Sequence, residues 1–151
     1  MLIAVLLLQL TGLTPTEIVK RAAPAVVVIK PQSASIRGEG SGFVVDTSGI
    51  VVTSLHVIEG ATAVAVKLPN GDVYDDVRVR AYDQRKDLAV LQIAAYGLPT
   101  VPLGNSEGIN VGDPVVLIGN PQGLETSVST GVVSALREAP GAGFRVIQTD
   151  A

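Results

Sequence analysis

The chain holds one histidine, His56, in the stretch GSGFVVDTSGIVVTSLHVIEGA from Gly40 to Ala61. Histidine is the side chain that titrates near neutrality, so a single one is a candidate general base. On this stretch alone the competing reading is a hydrogen-bonded structural histidine. Asp87, in DQRKDLAVLQI, stands just before the apolar run Leu88 to Ile93, where a carboxylate reaches from a strand end toward another loop. Such an acid fixes the imidazole tautomer through Nδ1 and stabilises the imidazolium, leaving Nε2 to take a proton from a nucleophile. The plain alternative for Asp87 is a turn acid, like Asp83 four residues earlier.

The elements around His56 must hold it still. Phe43 to Val45 reads as a strand, Asp46-Thr47-Ser48-Gly49 as a turn whose glycine takes the positive φ of a hairpin, and Ile50 to Thr53 as the return strand. Ser54 is expected to accept a backbone N–H as the N-cap of one short helical turn. His56 then sits where a buried hairpin ends and a helix begins.

Four blocks, GSGFVVDTSGIVVTSLHVIEGA, DQRKDLAVLQI, LGNSEGINVGDPVVLIGNPQGLETSVSTGVVSAL and VIQTDA, resemble successive blocks of the HtrA/Deg family of trypsin-like serine proteases, in that family's order and at similar spacing. The resemblance covers roughly residues 17 to 151. It implies an all-β, chymotrypsin-like double β-barrel, with the first barrel complete and the second only partly present. Carried over residue by residue, it makes His56 the general base and Asp87 its orienting acid. The family's nucleophile lies in a GNSGG-like loop shortly after the QTDA block, so with Ala151 as the last residue the nucleophilic serine is expected outside this sequence. Further implications are unfolded or damaged polypeptides as substrates, an extracytoplasmic home in bacteria, a homotrimer and a downstream PDZ domain. The segment Arg137 to Phe144 departs from the family, being short where a regulatory loop is placed. From another functional class, the rival reading is a catalytically dead, protease-like binding module.

Composition agrees with a β-rich domain and removes several chemistries. At 151 residues the chain suits one ordinary domain, or a barrel and part of another. Apolar residues make up 47% and aromatics only 3%, so the core must be aliphatic. A formal charge of −3 with scattered Lys and Arg argues against a nucleic-acid partner. Without cysteine and with one histidine, thiol catalysis, disulfides and Cys/His zinc sites are excluded. Neither a cofactor nor a metal is expected.

Three segments follow in order. Residues 1–13 open with the apolar run MLIAVLLL, shorter than the about 20 residues a spanning helix needs. The run resembles the apolar region of a signal peptide without a basic start or an A-x-A site, and reads as a signal or anchor remnant offering membrane attachment. Residues 14–98 are the expected N-terminal barrel: a helix from Thr16 to Ala22, then strands Val26 to Lys30, the His56 hairpin, Ala63 to Leu68, Val73 to Tyr82 and Leu88 to Ile93. Asn70-Gly71 marks a hairpin turn. Val77, Val79 and Ala81 alternate with Arg78, Arg80 and Tyr82, which predicts one buried face and one wet face. Residues 99–151 are the incomplete second barrel, reached through an Ala94 to Leu103 linker. Its strands are Val115 to Ile118, Ser127 to Leu136 and Phe144 to Thr149, with a turn from Gly119 to Gly123 and a loop from Ala139 to Gly143.

Other motifs compete for attention. Gly104-Asn105-Ser106-Glu107-Gly108 fits G-x-S-x-G, the nucleophile elbow of α/β-hydrolases, but there the acid and the histidine follow the serine. No histidine follows Ser106. The order His56, Asp87, later serine is that of the chymotrypsin-like triad. Gly38, Gly40 and Gly42 fail the dinucleotide fingerprint because Phe43 takes its last glycine position, and no lysine follows Gly123 as a phosphate-binding loop would need. Asp72, Asp75, Asp76 and Asp83 read as a solvated face in preference to a calcium site. Gly119-Asn120-Pro121 reads as structural.

Overall fold

In a computed structural model, which describes residues 4–6, 12–33, 38–119, 126–139, 141 and 143–151, strands dominate. They are β1 (Ala4–Leu6), α1 (Pro15–Ala22), β2 (Val26–Gln32), β3 (Gly40–Asp46), β4 (Ile50–Ser54), α2 (Leu55–Ile58), β5 (Ala63–Lys67), β6 (Val73–Tyr74), β7 (Arg78–Asp83), β8 (Leu88–Gln92), β9 (Pro114–Gly119), β10 (Ser127–Glu138) and β11 (Arg145–Thr149), counting the two helices in sequence. The all-β expectation holds. Seven strands form one sheet in the order β6-β5-β2-β3-β4-β8-β7, and four form another in the order β1-β9-β10-β11.

Local chemistry explains the starts and turns. Thr14 Oγ1 accepts the Glu17 amide at 3.3 Å while the Glu17 carboxylate accepts the Thr14 amide at 2.8 Å, a reciprocal cap that begins α1 with Pro15 at its first position. The hairpin between β3 and β4 turns where expected, with Gly49 at φ 92° and the Asp46 carboxylate accepting the Ser48 amide at 2.8 Å. No side chain fits at Gly49, because a Cβ there would stand 2.4 Å from the Ile93 carbonyl oxygen.

The core is aliphatic, as the scarcity of aromatics requires. Ile29, Val44, Val51, Val66, Leu91 and Ile93 are buried together between the strands of the first sheet, with Ile18 and Val19 of α1 packed against them. β9 is shared. Its Val116 and Ile118 enter this main core, whereas Val115 joins Ile109 and Val133 in a smaller cluster of the second sheet. Side chains that alternate along a strand make it possible for one strand to serve both sides.

Several expectations are corrected. The strand foreseen from Val73 to Tyr82 is two strands, β6 and β7, and they occupy opposite ends of the sheet. β7 does not bury a face: Val79 is 51% exposed and Ala81 is exposed as well, Val77 alone of that series packing on the core. The register shifts between Val79 and Ala81, so the simple alternation is broken on a strand at the edge of the sheet. Ala94 to Leu103 is more than a linker, because Ala95 and Val101 are buried and the Val101 amide donates to the Val44 carbonyl at 3.0 Å. Within the apolar N-terminal run, Ala4–Leu6 pairs antiparallel with Val116 to Ile118 of β9. No helix among the described residues is long and apolar enough to cross a membrane. Most of the Gly119 to Gly123 turn, including Asn120 and Pro121, and parts of the Ala139 to Gly143 loop lie outside the described residues.

Candidate active site

His56 lies in α2, a single turn that follows β4 directly. Val57 fixes this turn to the sheet by packing over Gly40, where a Cβ would come within 2.5 Å of the valine Cγ1. Only glycine at position 40 lets α2 approach so closely. Asp87 is the turn residue that leads into the neighbouring strand: β4 pairs with β8, Ser54 opposite Leu88, which puts Asp87 beside the start of α2. The Leu55 amide donates to the Asp87 carbonyl at 3.1 Å and closes the corner.

The structure brings the two side chains together. Asp87 Oδ2 faces His56 Nδ1 at 2.5 Å, and Asp87 Oδ1 accepts the His56 backbone N–H at 2.8 Å. One carboxylate thus holds both the ring and the main chain of the histidine. Both side chains are half exposed, so the pair sits at a surface and not inside the core. Asp87 has φ 54°, the one non-glycine residue with positive φ among those described. Aspartate tolerates this left-handed conformation better than most residues, and such backbones are concentrated at functional sites. Partial burial pushes the Asp87 carboxyl up and is the largest single influence. The amide and ring of His56, the Ser54 hydroxyl and the imidazole charge together outweigh it and hold the carboxyl below its usual range. An ionised carboxylate on Nδ1 keeps the proton there and presents Nε2 as the nitrogen that accepts one.

Next to the acid, Lys86 Nζ lies 5.8 Å from the centre of the Phe144 ring, so the loop that carries Asp87 touches the segment leading into β11. Farther along, Asp150 of the QTDA block accepts the Val132 amide at 2.8 Å and pins the C-terminal residues to β10.

The competing motifs find other employment. Ser106 begins a 3-10 turn capped by Asn105, whose side chain accepts the Glu107 amide at 3.0 Å, and Glu107 pairs with Arg145 at 2.9 Å. No strand-to-helix elbow surrounds it. Asp72 and Asp83 cap their own turns, bonding Asn70 and the amides of Arg85 and Lys86, and Asp76 stands 3.9 Å from Arg78. Among the described residues, no three His, Cys, Asp or Glu converge as a metal would need.

One residue near the pair differs from its expected role. Ser54 occupies the N-cap position of α2, but its side chain makes no capping hydrogen bond. It is 1% exposed and points inward. No spacing rule separates a serine that caps a helix from one that is buried behind it.

The sequence of residues 40–151 matches the model of the trypsin-like peptidase domain. The chain therefore belongs to the trypsin-like peptidases. Its relatives within them are of HtrA/Deg type. The serine endoprotease DegS of Salmonella typhimurium is 38% identical over 88% of this chain and 40% of its own length. The mitochondrial serine protease HTRA2 of Bos taurus is 38% identical over 89% of this chain and 32% of its own. Among solved structures, a serine-to-alanine variant of the HtrA-type protease AlgW with a tripeptide superposes with a TM-score of 0.83 at 35% identity, over 92% of this chain and 46% of that one. The chain spans about a third of the length of curated relatives such as these.

Proposed function

We propose that the protein is a serine endopeptidase of HtrA/Deg type that cuts polypeptides by acyl transfer, with His56 as base and then acid and Asp87 as its orienter. The observation that carries this reading is the double hold of Asp87 on His56, Oδ2 at 2.5 Å from Nδ1 and Oδ1 at 2.8 Å from the backbone nitrogen. With Nδ1 committed, Nε2 removes the proton from a hydroxyl attacking a peptide carbonyl and later delivers it to the leaving amine. Asp87 stays ionised throughout, which its lowered pKa favours. In this reading the nucleophile is the serine of the family's GNSGG-like loop, in sequence following Ala151, and backbone donors of that loop stabilise the oxyanion.

Unfolded or damaged polypeptides as substrates, a homotrimer and a following PDZ domain belong to the same proposal and are supported by kinship with HtrA/Deg proteins. An extracytoplasmic bacterial compartment, or its organellar counterpart, is supported by relatives named as periplasmic, mitochondrial and chloroplastic. In the N-terminal run, Ala4–Leu6 pairs with β9 in the second sheet, a seat within the protein in place of one in a membrane.

Fluorophosphonate labelling and digestion of unfolded casein test the reading on three samples: residues 1–151, the chain extended through the serine loop, and the extended chain with His56→Ala. The extended chain is expected to label and digest, the His56→Ala form to lose about 10⁴- to 10⁶-fold in kcat, and residues 1–151 to do neither. Labelling of residues 1–151 that depends on His56 would overturn the assignment of the nucleophile and make Ser106 the first serine to replace.

A further inference from the structure

Behind the Asp87 carboxylate stands a hydroxyl without a hydrogen-bond partner. Ser54 ends β4, its side chain is shut away from solvent, and Oγ stands near enough to the Asp87 carboxylate to favour its charge without the aim of a full hydrogen bond to it or to any other described residue. Buried hydroxyls are ordinarily bonded, and one left unbonded costs free energy that a mere space-filler such as alanine would avoid. Its backbone is opposite Leu88, the residue after Asp87, and the next amide along, that of Leu55, already donates to the Asp87 carbonyl. An ionised carboxylate offers about four acceptor sites. His56 uses two of them, one with its ring and one with its amide.

The geometry points to Ser54 as a positioning residue, a third donor whose hydroxyl turns onto the Asp87 carboxylate and keeps it ionised and aimed at Nδ1 of His56. The step is a rotation about one side-chain bond, with no proton transferred. The hydroxyl already stands close enough to favour the charged carboxylate, and among the described residues it is His56 that acts on Asp87 through its charge. The inference rests on Asp87 serving as the orienter of His56, but its test does not need peptidase activity.

The protein is labelled with carboxyl-¹³C aspartate, and the Asp87 signal is assigned by its disappearance in Asp87→Asn. Its titration is followed in the parent, in Ser54→Ala and in Ser54→Thr, which keeps the hydroxyl. The Asp87 midpoint is expected to rise toward the ordinary carboxylate range in Ser54→Ala and to stay low in Ser54→Thr. In the active chain, kcat is expected to fall about tenfold in Ser54→Ala with KM unchanged, the worth of one hydrogen bond to a charged group. An unmoved midpoint in Ser54→Ala, or equal rises in both variants, would overturn the assignment. If the midpoint behaves as expected while His56→Ala leaves activity intact, the peptidase reading fails and the hydroxyl's hold on Asp87 stands.

Discussion

The two sheets are made of the same aliphatic residues and treat them differently. In the inner strands of the first, Ile29, Val51 and Leu91 are wholly enclosed, as is Val66 next to the edge, and exposed valines such as Val73 and Val79 are confined to its edge strands β6 and β7. In the second, Val128, Val132 and Val146 are 44%, 40% and 47% exposed, and the buried cluster of that sheet among the described residues is Ile109, Val115 and Val133. The difference teaches where the rigidity of the site originates. His56 and Asp87 hang from β4 and β8, two strands inside the well-packed sheet, so their alignment depends on core packing that is complete within residues 18 to 118.

The sharpest way to break the comparison is to empty both cores. Ile29→Ala is expected to cost about 2–5 kcal/mol in urea unfolding, the range for removing a large aliphatic from a packed interior. Val133→Ala, which removes fewer atoms from a smaller cluster, is expected to cost about 2 kcal/mol. Equal losses would mean that the second sheet is as tightly packed as the first.

A smaller effect separates the site from the core beneath it. The folded-state pKa of Asp87 lies below its unfolded value, so this group stabilises the fold fully above the ordinary carboxylate range near pH 4. That contribution is lost as pH falls through the depressed folded pKa. Urea midpoints measured from pH 7 down to pH 2 should therefore show a shallower acid limb in Asp87→Asn than in the parent, a modest change because the carboxylate is half exposed. Parallel acid limbs would show that Asp87 gains nothing from His56 on folding.

The smallest effect belongs to the open face of the second sheet. Val146→Ser should alter stability by less than about 0.5 kcal/mol, as exposed positions do, while reducing binding of the dye ANS. A loss as large as that of Val133→Ala would mean that Val146 is covered in solution.

What the sequence made legible was the chemistry that acts over a few residues. Thr14, Pro15 and Glu17 form the cap their order implies, and Gly49 and Gly71 take the positive φ their turns require. The neighbourhood of His56 and Asp87 was legible for another reason, since the order of the blocks places both residues in one barrel. Burial of a face was not legible where it depends on what lies outside the strand. The pattern of Val77, Val79 and Ala81 looks half-buried, yet β7 is an edge strand with a register shift and its outer side meets solvent. Ser54 failed for a similar reason: a cap and a buried donor have the same residue type at the same position, and the packing of β4 against β8 decides between them. The left-handed backbone of Asp87 has no local signal either, because closure against Leu55 imposes it from thirty-odd residues away.

β9 has a consequence for how the molecule opens. Its alternate side chains belong to two cores, so the second sheet cannot peel away without uncovering Val116 and Ile118 in the first. Fluctuations that would otherwise be local to β10 and β11 become coupled to the strands bearing His56 and Asp87. In hydrogen exchange the amides of β9 should then be lost with those of β4 and β8, as one cooperative unit, and β1, paired along a single edge of β9, should exchange ahead of them all.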